Sequence, residues 1–305
     1  MKKTVVVTGG AGFIGSYLSR ELLAKGFNVH IVDSLVAGTK ERVTEGAILH
    51  TQDVREREAL EKLFAEMSPL YCVFHLAALP RVQLSIEEPA ETNSVNIGGT
   101  VNVLHAASNA GARRLVYSAS SSAYGDQEVM PLHEELPTQP KSPYGLQKYV
   151  GELYARLWSE LYGLPTVSLR YFNVYGPGFD PEGPYALVIG KFLKQRKEGK
   201  PLTITGDGTQ TRDFTHLSDI ARANLLAMES ERVGKGEVMN IGAGNNVSIN
   251  ELARLMGGEV AHIDPRIEPK HTKADNRKAR ELLGWEPKVP FSEGIAALKQ
   301  EWGIS

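Results

Sequence analysis

Cysteine is all but absent from this chain. Cys72 stands alone, so no internal disulfide can staple the fold, and within LYCVFHLAA it reads as a buried strand residue rather than a nucleophile. A surplus of either charge is also lacking. The 34 Lys and Arg residues against 36 Asp and Glu leave a formal charge of −2, so no basic field invites nucleic acid. No apolar run approaches the length that spans a bilayer, and no membrane partner is expected. The start, MKKTVVVTGG, carries two lysines but enters a glycine turn before a signal-peptide core could form. The first strand of a cytoplasmic protein is the expectation. Repeats and low-complexity tracts are missing, and no metal is expected. What remains is ordinary for a globular chain: 305 residues, 42% hydrophobic and 23% charged, enough for one large or two closely joined domains.

Strand-like apolar runs alternate with helical patterns through roughly the first half, which predicts βαβ units and a parallel sheet. The expected strands are Thr4–Thr8, Asn28–Val32, Ala47–His50, Val73–Leu76, Arg114–Ser118 and Thr166–Arg170. The expected helices are Ile14–Lys25, Glu56–Met67, Val95–Asn109 and Tyr144–Tyr162. Each helix offers apolar residues at spacings of three and four, so one face can cover a sheet. Right-handed crossovers then build a doubly wound parallel (Rossmann) α/β sheet. After about residue 172 the pattern changes: Pro177, Pro181 and Pro184 crowd a glycine-containing loop and the elements shorten. The expected division is residues 1–173, with 211–242 returning to them through an Asp213–Glu229 helix and a Val238–Ile241 strand. Residues 174–210 and 243–305 would form a smaller, discontinuous substrate-binding region.

Glycines occupy the first strand-to-helix turn. Gly9, Gly12 and Gly15 fit G-x-x-G-x-x-G, and Gly10, Gly12 and Gly15 fit G-x-G-x-x-G, with Phe13 and Ile14 inside the turn. Such glycines admit positive φ and let backbone approach a pyrophosphate, whose charge a helix N-terminus stabilises. A second strand ends at Asp33, about 20 residues on, where a carboxylate accepts hydrogen bonds from an adenosine ribose. Its charge would repel a 2′-phosphate and no arginine adjoins it, so NAD is expected over NADP. The competing reading of Asp33 is a strand-end turn residue or helix cap. Asp53, followed by Val54, ends the third strand, where it would meet the adenine or else cap the helix from Glu56 onward.

Tyr144 and Lys148, in SPYGLQKYVGE, lie four apart on an expected helix and share a face. A phenol ionises near pH 10, too high for a base at neutral pH; a nearby ammonium and the positive nicotinamide of NAD would favour the phenolate. Alone, this spacing is a common surface or half-buried pair. Upstream, SASSSAYG stands at the carboxyl end of the fifth strand, where open α/β sheets bind ligands. It offers Ser118, Ser120, Ser121 and Ser122 as hydroxyls that could bond the sugar oxygen; a self-satisfied turn is the alternative.

TGGAGFIG, HLAA, NIGGTVNVL, SASSSAYG, SPYGLQK, RYFNVYGP and GDGTQTRDF occur in that order. Together they resemble the extended short-chain dehydrogenase/reductases that act on nucleotide sugars, most closely the UDP-glucose and UDP-N-acetylglucosamine 4-epimerases, over essentially the whole chain. The resemblance implies Ser120 as the active-site hydroxyl with Ser122 as runner-up, Tyr144 as the base and Lys148 on the nicotinamide ribose. It places Leu76, Ala77 and Ala78 of HLAA at the cofactor, Arg81 where some relatives carry a cofactor-proximal lysine, and Asn96 near the site. Asn173 would contact the sugar diphosphate, and Arg212 and Arg266 the phosphates and uridine, a task suited to arginine forks. For Arg212 the alternative is an ion pair with Asp213 or Asp219. Thr272 falls where relatives that exclude an N-acetyl group carry tyrosine, which implies that such a group fits here.

The implied reaction is 4-epimerisation of a UDP-hexose: Tyr144 takes the 4-hydroxyl proton as C4 passes hydride to NAD, and hydride returns to the opposite face of the rotated 4-keto sugar. A 4,6-dehydratase would need an acid and a base where Ser121 and Ser122 stand. A UDP-uronate decarboxylase would need an added cation, for which Arg81 is available. An NAD-sensing regulator without catalysis conflicts with the retained Tyr144 and Lys148. Relatives form homodimers through a four-helix bundle, here matched by Val95–Asn109 and Tyr144–Tyr162.

Overall fold

The computed structural model describes residues 2–179, 188–264 and 270–304. In chain order the first half runs β1 (Thr4–Thr8), α1 (Phe13–Ala24), β2 (Asn28–Asp33), β3 (Ile48–Thr51), α2 (Arg57–Glu66) and β4 (Leu70–His75). Two short helices, α3 (Val82–Glu87) and α4 (Pro89–Asn93), lead through a wide π-helical turn at Ser94–Gly99 into α5 (Thr100–Asn109). Then come β5 (Leu115–Ser120), α6 (Pro143–Tyr162), β6 (Thr166–Tyr171) and β7 (Val174–Tyr175). The remainder comprises α7 (Val188–Lys197), β8 (Leu202–Thr205), β9 (Thr211–Arg212), β10 (Thr215–His216), α8 (Leu217–Glu229), β11 (Lys235–Ile241) and β12 (Val247–Ser248). It closes with α9 (Ile249–Met256), β13 (Val260–Ile263), α10 (Arg277–Leu283) and α11 (Phe291–Glu301).

The central sheet has seven strands in the order β11-β6-β5-β4-β1-β2-β3, every pairing parallel. Its strands are apolar on both faces because helices cover both. Val5, Val7, Ile31, Phe74 and Leu169 pack with Leu18 and Leu22 of α1 and Ile220 and Ala227 of α8. On the other face Val6, Val73, Leu115 and Tyr117 meet Phe64 of α2, Leu104 and Ala107 of α5, and Ala155 and Trp158 of α6. Between β1 and β4 the connections diverge to opposite sides, which opens a crevice at the strands' carboxyl ends.

The six expected strands and four expected helices of the first half are present, Thr4–Thr8 with its expected bounds and the others with shifted ends. The α8 helix begins at Leu217, where the spacing predicts Asp213. The His216 ring caps it by accepting the Ser218 N–H, while Asp213 is drawn into the interior by backbone donors. A third core gathers Phe192 and Leu193 of α7, Leu252 and Met256 of α9, and Ile295 and Leu298 of α11. Ala279 and Leu283 of α10, with Trp285, instead pack into the core beneath α1 and α8; the Trp285 indole donates to Asp219 O at 2.9 Å. Ala274 joins a further small cluster with Tyr124, Leu132 and Phe172, so the later residues contribute to three cores. Pro181 and Pro184 lie outside the described residues. Among the described residues no helix is long and apolar enough to cross a membrane.

Candidate active site

Two cavities meet at the carboxyl ends of the strands and share Leu76 and Ala78 in their walls. The first is bounded by Gly9, Gly12, Asp33, Asp53, Val54 and Ala77. Gly9 has φ +71, and a Cβ on it would stand 2.7 Å from Ala77 N; one on Gly15 would stand 2.2 Å from Gly9 O. Only hydrogen fits at either place, so α1 starts hard against the turn. No side-chain acceptor caps α1 at Gly12. The Asp33 carboxylate accepts Ala11 N–H at 3.0 Å and Leu35 N–H at 2.8 Å, fixing it at the rim of the turn. These features suit a dinucleotide: a cradle that any Cβ would fill, an uncapped helix start for the pyrophosphate, and an oriented carboxylate for the ribose.

Asp53 does not cap α2, whose N-cap is Glu56. Its carboxylate accepts Arg55 N–H at 2.8 Å and pairs with the guanidinium, which holds it below the usual carboxylate range; Arg55 also reaches Glu91 at 2.8 Å. Val54 is buried beside it. The segment after β4 hangs on a buried hydrogen-bond chain. Thr100 Oγ1 donates to Asn96 O at 2.7 Å, so its contact with His75 Nε2 at 2.9 Å has the imidazole as donor. His75 Nδ1 is then the acceptor for Thr8 Oγ1 at 2.7 Å, and that oxygen takes Ala77 N–H at 3.3 Å. Burial pushes His75 down to about 3, so it stays neutral. Asn96 stands behind the cavity wall: its Oδ1 accepts Leu79 N–H and its Nδ2 donates to Leu79 O and Gln147 Oε1. Arg81 is exposed at the N-cap of α3, and Phe13 packs edge-on against Phe179 while Ile14 borders the second cavity.

The second cavity, about 590 Å³, is bounded by Ser120, Ser121, Ser122, Tyr144, Lys148, Asn173, Arg212 and Thr272 among others. Sequence marks the start of α6: Ser142 accepts Gly145 N–H at 3.1 Å, Pro143 opens the first turn, and Gly163 at φ +68 ends the helix. The hydroxyl that meets the Tyr144 phenol is that of Ser120, the last residue of β5. Ser120 Oγ in turn receives Ser122 Oγ–H at 2.8 Å and Ser122 N–H at 3.2 Å. Burial pushes the Tyr144 phenol up to about 12, and the Ser120 hydrogen bond opposes that rise. Lys148 Nζ donates to Ser118 O at 2.8 Å rather than to the phenol, and burial pushes it down to about 8, opposed by Glu152.

At the far end Asn173, held at φ +26, donates its Nδ2 to Asp213 O at 2.9 Å, and Arg212 Nη1 donates to Thr211 O at 2.9 Å. Asp219 pairs with Arg222 at 2.7 Å, and Asp213 accepts Gly244 and Ala274 N–H groups at 2.9 and 2.8 Å. Burial pushes Asp213 up to about 7. Thr272 Oγ1 accepts Asp213 N–H at 3.2 Å. Arg266 lies outside the described residues. Asp213 thus ties Asn173, Thr272 and Ala274 together, a role missed by reading it as the start of a helix; its place inside TRDF was the available signal.

A dinucleotide cleft opening onto a Ser–Tyr–Lys centre is the arrangement of enzymes that move hydride to and from a bound alcohol. The chain belongs to the NAD-dependent epimerase/dehydratase family, whose model matches residues 5–242, and NAD is that family's cofactor. A putative UDP-glucose 4-epimerase of Methanocaldococcus jannaschii is 37% identical over 298 residues, covering 95% of each chain. A UDP-glucuronate 4-epimerase of Thermodesulfobacterium geofontis is 36% identical and covers 95% of this chain and 93% of its own. Among solved structures, UDP-glucose 4-epimerase with UDP-glucose from Thermotoga maritima superposes with a TM-score of 0.92 at 38% identity, covering 98% of both chains.

Proposed function

We propose that the protein is a UDP-hexose 4-epimerase that works through a 4-keto intermediate, with Ser120, Tyr144 and Lys148 as its reacting groups. The observation that carries this reading is the adjacency of the two cavities, which share Leu76 and Ala78 in their walls. The Ser120 and Tyr144 hydroxyls lie in the second one, which runs on to Asn173 and Arg212. A sugar nucleotide spans such a path, with its hexose at the hydroxyls and its diphosphate at the arginine.

Bound NAD supplies the acceptor and donor of hydride at C4, so the reaction is redox-neutral overall. Tyr144 removes the proton of the 4-hydroxyl and later restores it. Ser120 bonds the same oxygen and, by its contact with the phenol, favours the phenolate. Lys148 holds the cofactor ribose. Arg212 and Asn173 grip the diphosphate while the keto sugar turns and presents its other face. Arg266 is assigned to the same anion. Two copies of the chain pair through α5 and α6.

Purified protein given UDP-galactose, UDP-N-acetylgalactosamine or UDP-glucuronate tests this by NMR of the products. The C4 epimer of at least one is expected, and no conversion of any would sink the reading. A 4-keto-6-deoxy or pentose product would move it to a dehydratase or a decarboxylase. We further propose that Thr272, in the cavity wall, leaves room for an N-acetyl group. Thr272→Tyr then suppresses the N-acetylated substrate more than the plain hexose; an equal fall in both rates would place the gate elsewhere.

A further inference from the structure

Three ionisable groups occupy one face of α6 at successive turns: Tyr144, Lys148 and Glu152. Lys148 is 4% exposed, Glu152 2% and Arg170 3%. Glu152 receives a two-pronged bond from Arg170 on β6, Nε to Oε1 at 2.8 Å and Nη2 to Oε2 at 2.7 Å. The Arg170 guanidinium lies over the Tyr124 ring at 4.5 Å, so the pair is held on both sides. The mechanism derived above uses neither residue, yet burying such a pair is expensive and rarely adds stability by itself.

Among the described residues, Glu152 is the only charged group that favours the Lys148 ammonium. Its Nζ bonds a neutral carbonyl, Ser118 O, and stands 5.1 Å from the centre of the Tyr117 ring. From the sheet His75 and Tyr117 face it, both kept neutral by burial; Tyr144 and Glu152 face it from its own helix, and Arg170 stands behind Glu152. The elements on the other flank present Ser85, Thr92 and Asn96 to α6, all uncharged. A positive nicotinamide beside Lys148 adds repulsion.

We propose that Glu152, aligned by Arg170, is a positioning residue for the reaction, whose buried negative charge keeps Lys148 an ammonium beneath the cofactor ribose. This rests on the Tyr144–Lys148 reading of the site, and its test need not depend on turnover.

In full-length protein carrying 13C-labelled lysine, the Lys148 resonance, assigned by its loss in Lys148→Arg, is titrated by NMR. In Glu152→Gln its midpoint falls by about one pH unit, and in Glu152→Asp it returns toward that of the native protein. Glu152→Gln leaves Arg170 without a charged partner. The double variant Glu152→Gln/Arg170→Met has no such orphan, and it shows a smaller fall in the same direction. An unchanged midpoint in the folded member of the two overturns the proposal. The catalytic consequence is a pH profile: kcat/KM of Glu152→Gln stays within a few-fold of native near pH 6 and drops away as pH rises. A merely structural role would lower it by one factor at every pH, and that result would overturn the link to catalysis. A shifted lysine in a protein that converts no UDP-sugar would support the charge pairing and count against the epimerase reading.

Discussion

Tyr144 in the free protein is a neutral phenol, since burial pushes it up to about 12, while Lys148 is pushed down to about 8. The two shifts act on the rate in opposite senses. The base must lose its proton, so turnover rises with pH; the lysine must keep its own, so turnover falls above its pKa. Once the positive nicotinamide of bound NAD brings the phenol below the lysine, a bell-shaped kcat/KM profile with an alkaline limb no higher than about pH 8 is expected. Lys148→Arg, whose guanidinium stays charged, slows the enzyme but removes that limb; a limb that survives the substitution belongs to another group. Tyr144→Phe lowers kcat by roughly 10²–10⁴-fold while the bound NAD content stays the same. At this scale the sequence exposed residues whose partners are close along the chain. The glycine turn, Asp33 and the Tyr144–Lys148 pair all follow from spacing. Asp213 and His75 did not show, because their partners (Gly244 and Ala274, Thr8 and Thr100) come from remote segments. Spacing alone left four serines open, and the preference for Ser120 came from the family resemblance; in the structure its hydroxyl meets the Tyr144 phenol.

The α6 helix carries Tyr144 and Lys148, and its seat on the sheet therefore sets where they stand. That seat needs glycine. A Cβ at Gly151 would lie 2.1 Å from the Tyr117 hydroxyl, and one at Gly145 2.7 Å from Ser122 O. Tyr117 is buried in β5 and cannot yield cheaply. Gly151→Ala thus lifts the helix off the sheet, costing about 1–3 kcal/mol and lowering Tm by several degrees. Thermal melts beside kcat measurements check this, and an unchanged Tm with native kcat would mean that the helix tolerates the methyl. The elements of the first half were legible because fully covered strands and single-faced helices have distinct periods. Boundaries were less so where side chains reach back to the main chain. The start of α8 moved from Asp213 to Leu217 for that reason, and the strand starting at Leu70 extends further back than the four-residue apolar run suggested.

At the scale of the whole molecule, α6 raises a question that one chain cannot answer. Its inner face meets the sheet through Gly151, Ala155 and Trp158, yet Leu146, Val150, Leu153, Leu157 and Leu161 form a second stripe at spacings of three and four. Leu146 is 50% exposed and Leu161 69%, a long apolar row left to water. A helix apolar on two sides is stable when both are covered, and the proposed pairing through α5 and α6 would cover the outer one. A two-fold axis makes the contact self-complementary, so each leucine lost is lost twice. Light scattering after size exclusion is expected to give a dimer for the native protein and a monomer for Leu157→Glu/Leu161→Glu. Neither position touches the cavities, but α6 loses its outer support in the monomer, so kcat falls along with the mass. A native protein that runs as a monomer would leave the stripe unexplained and remove the dimer from the proposal; a dimer that survives both glutamates would place the interface on another face.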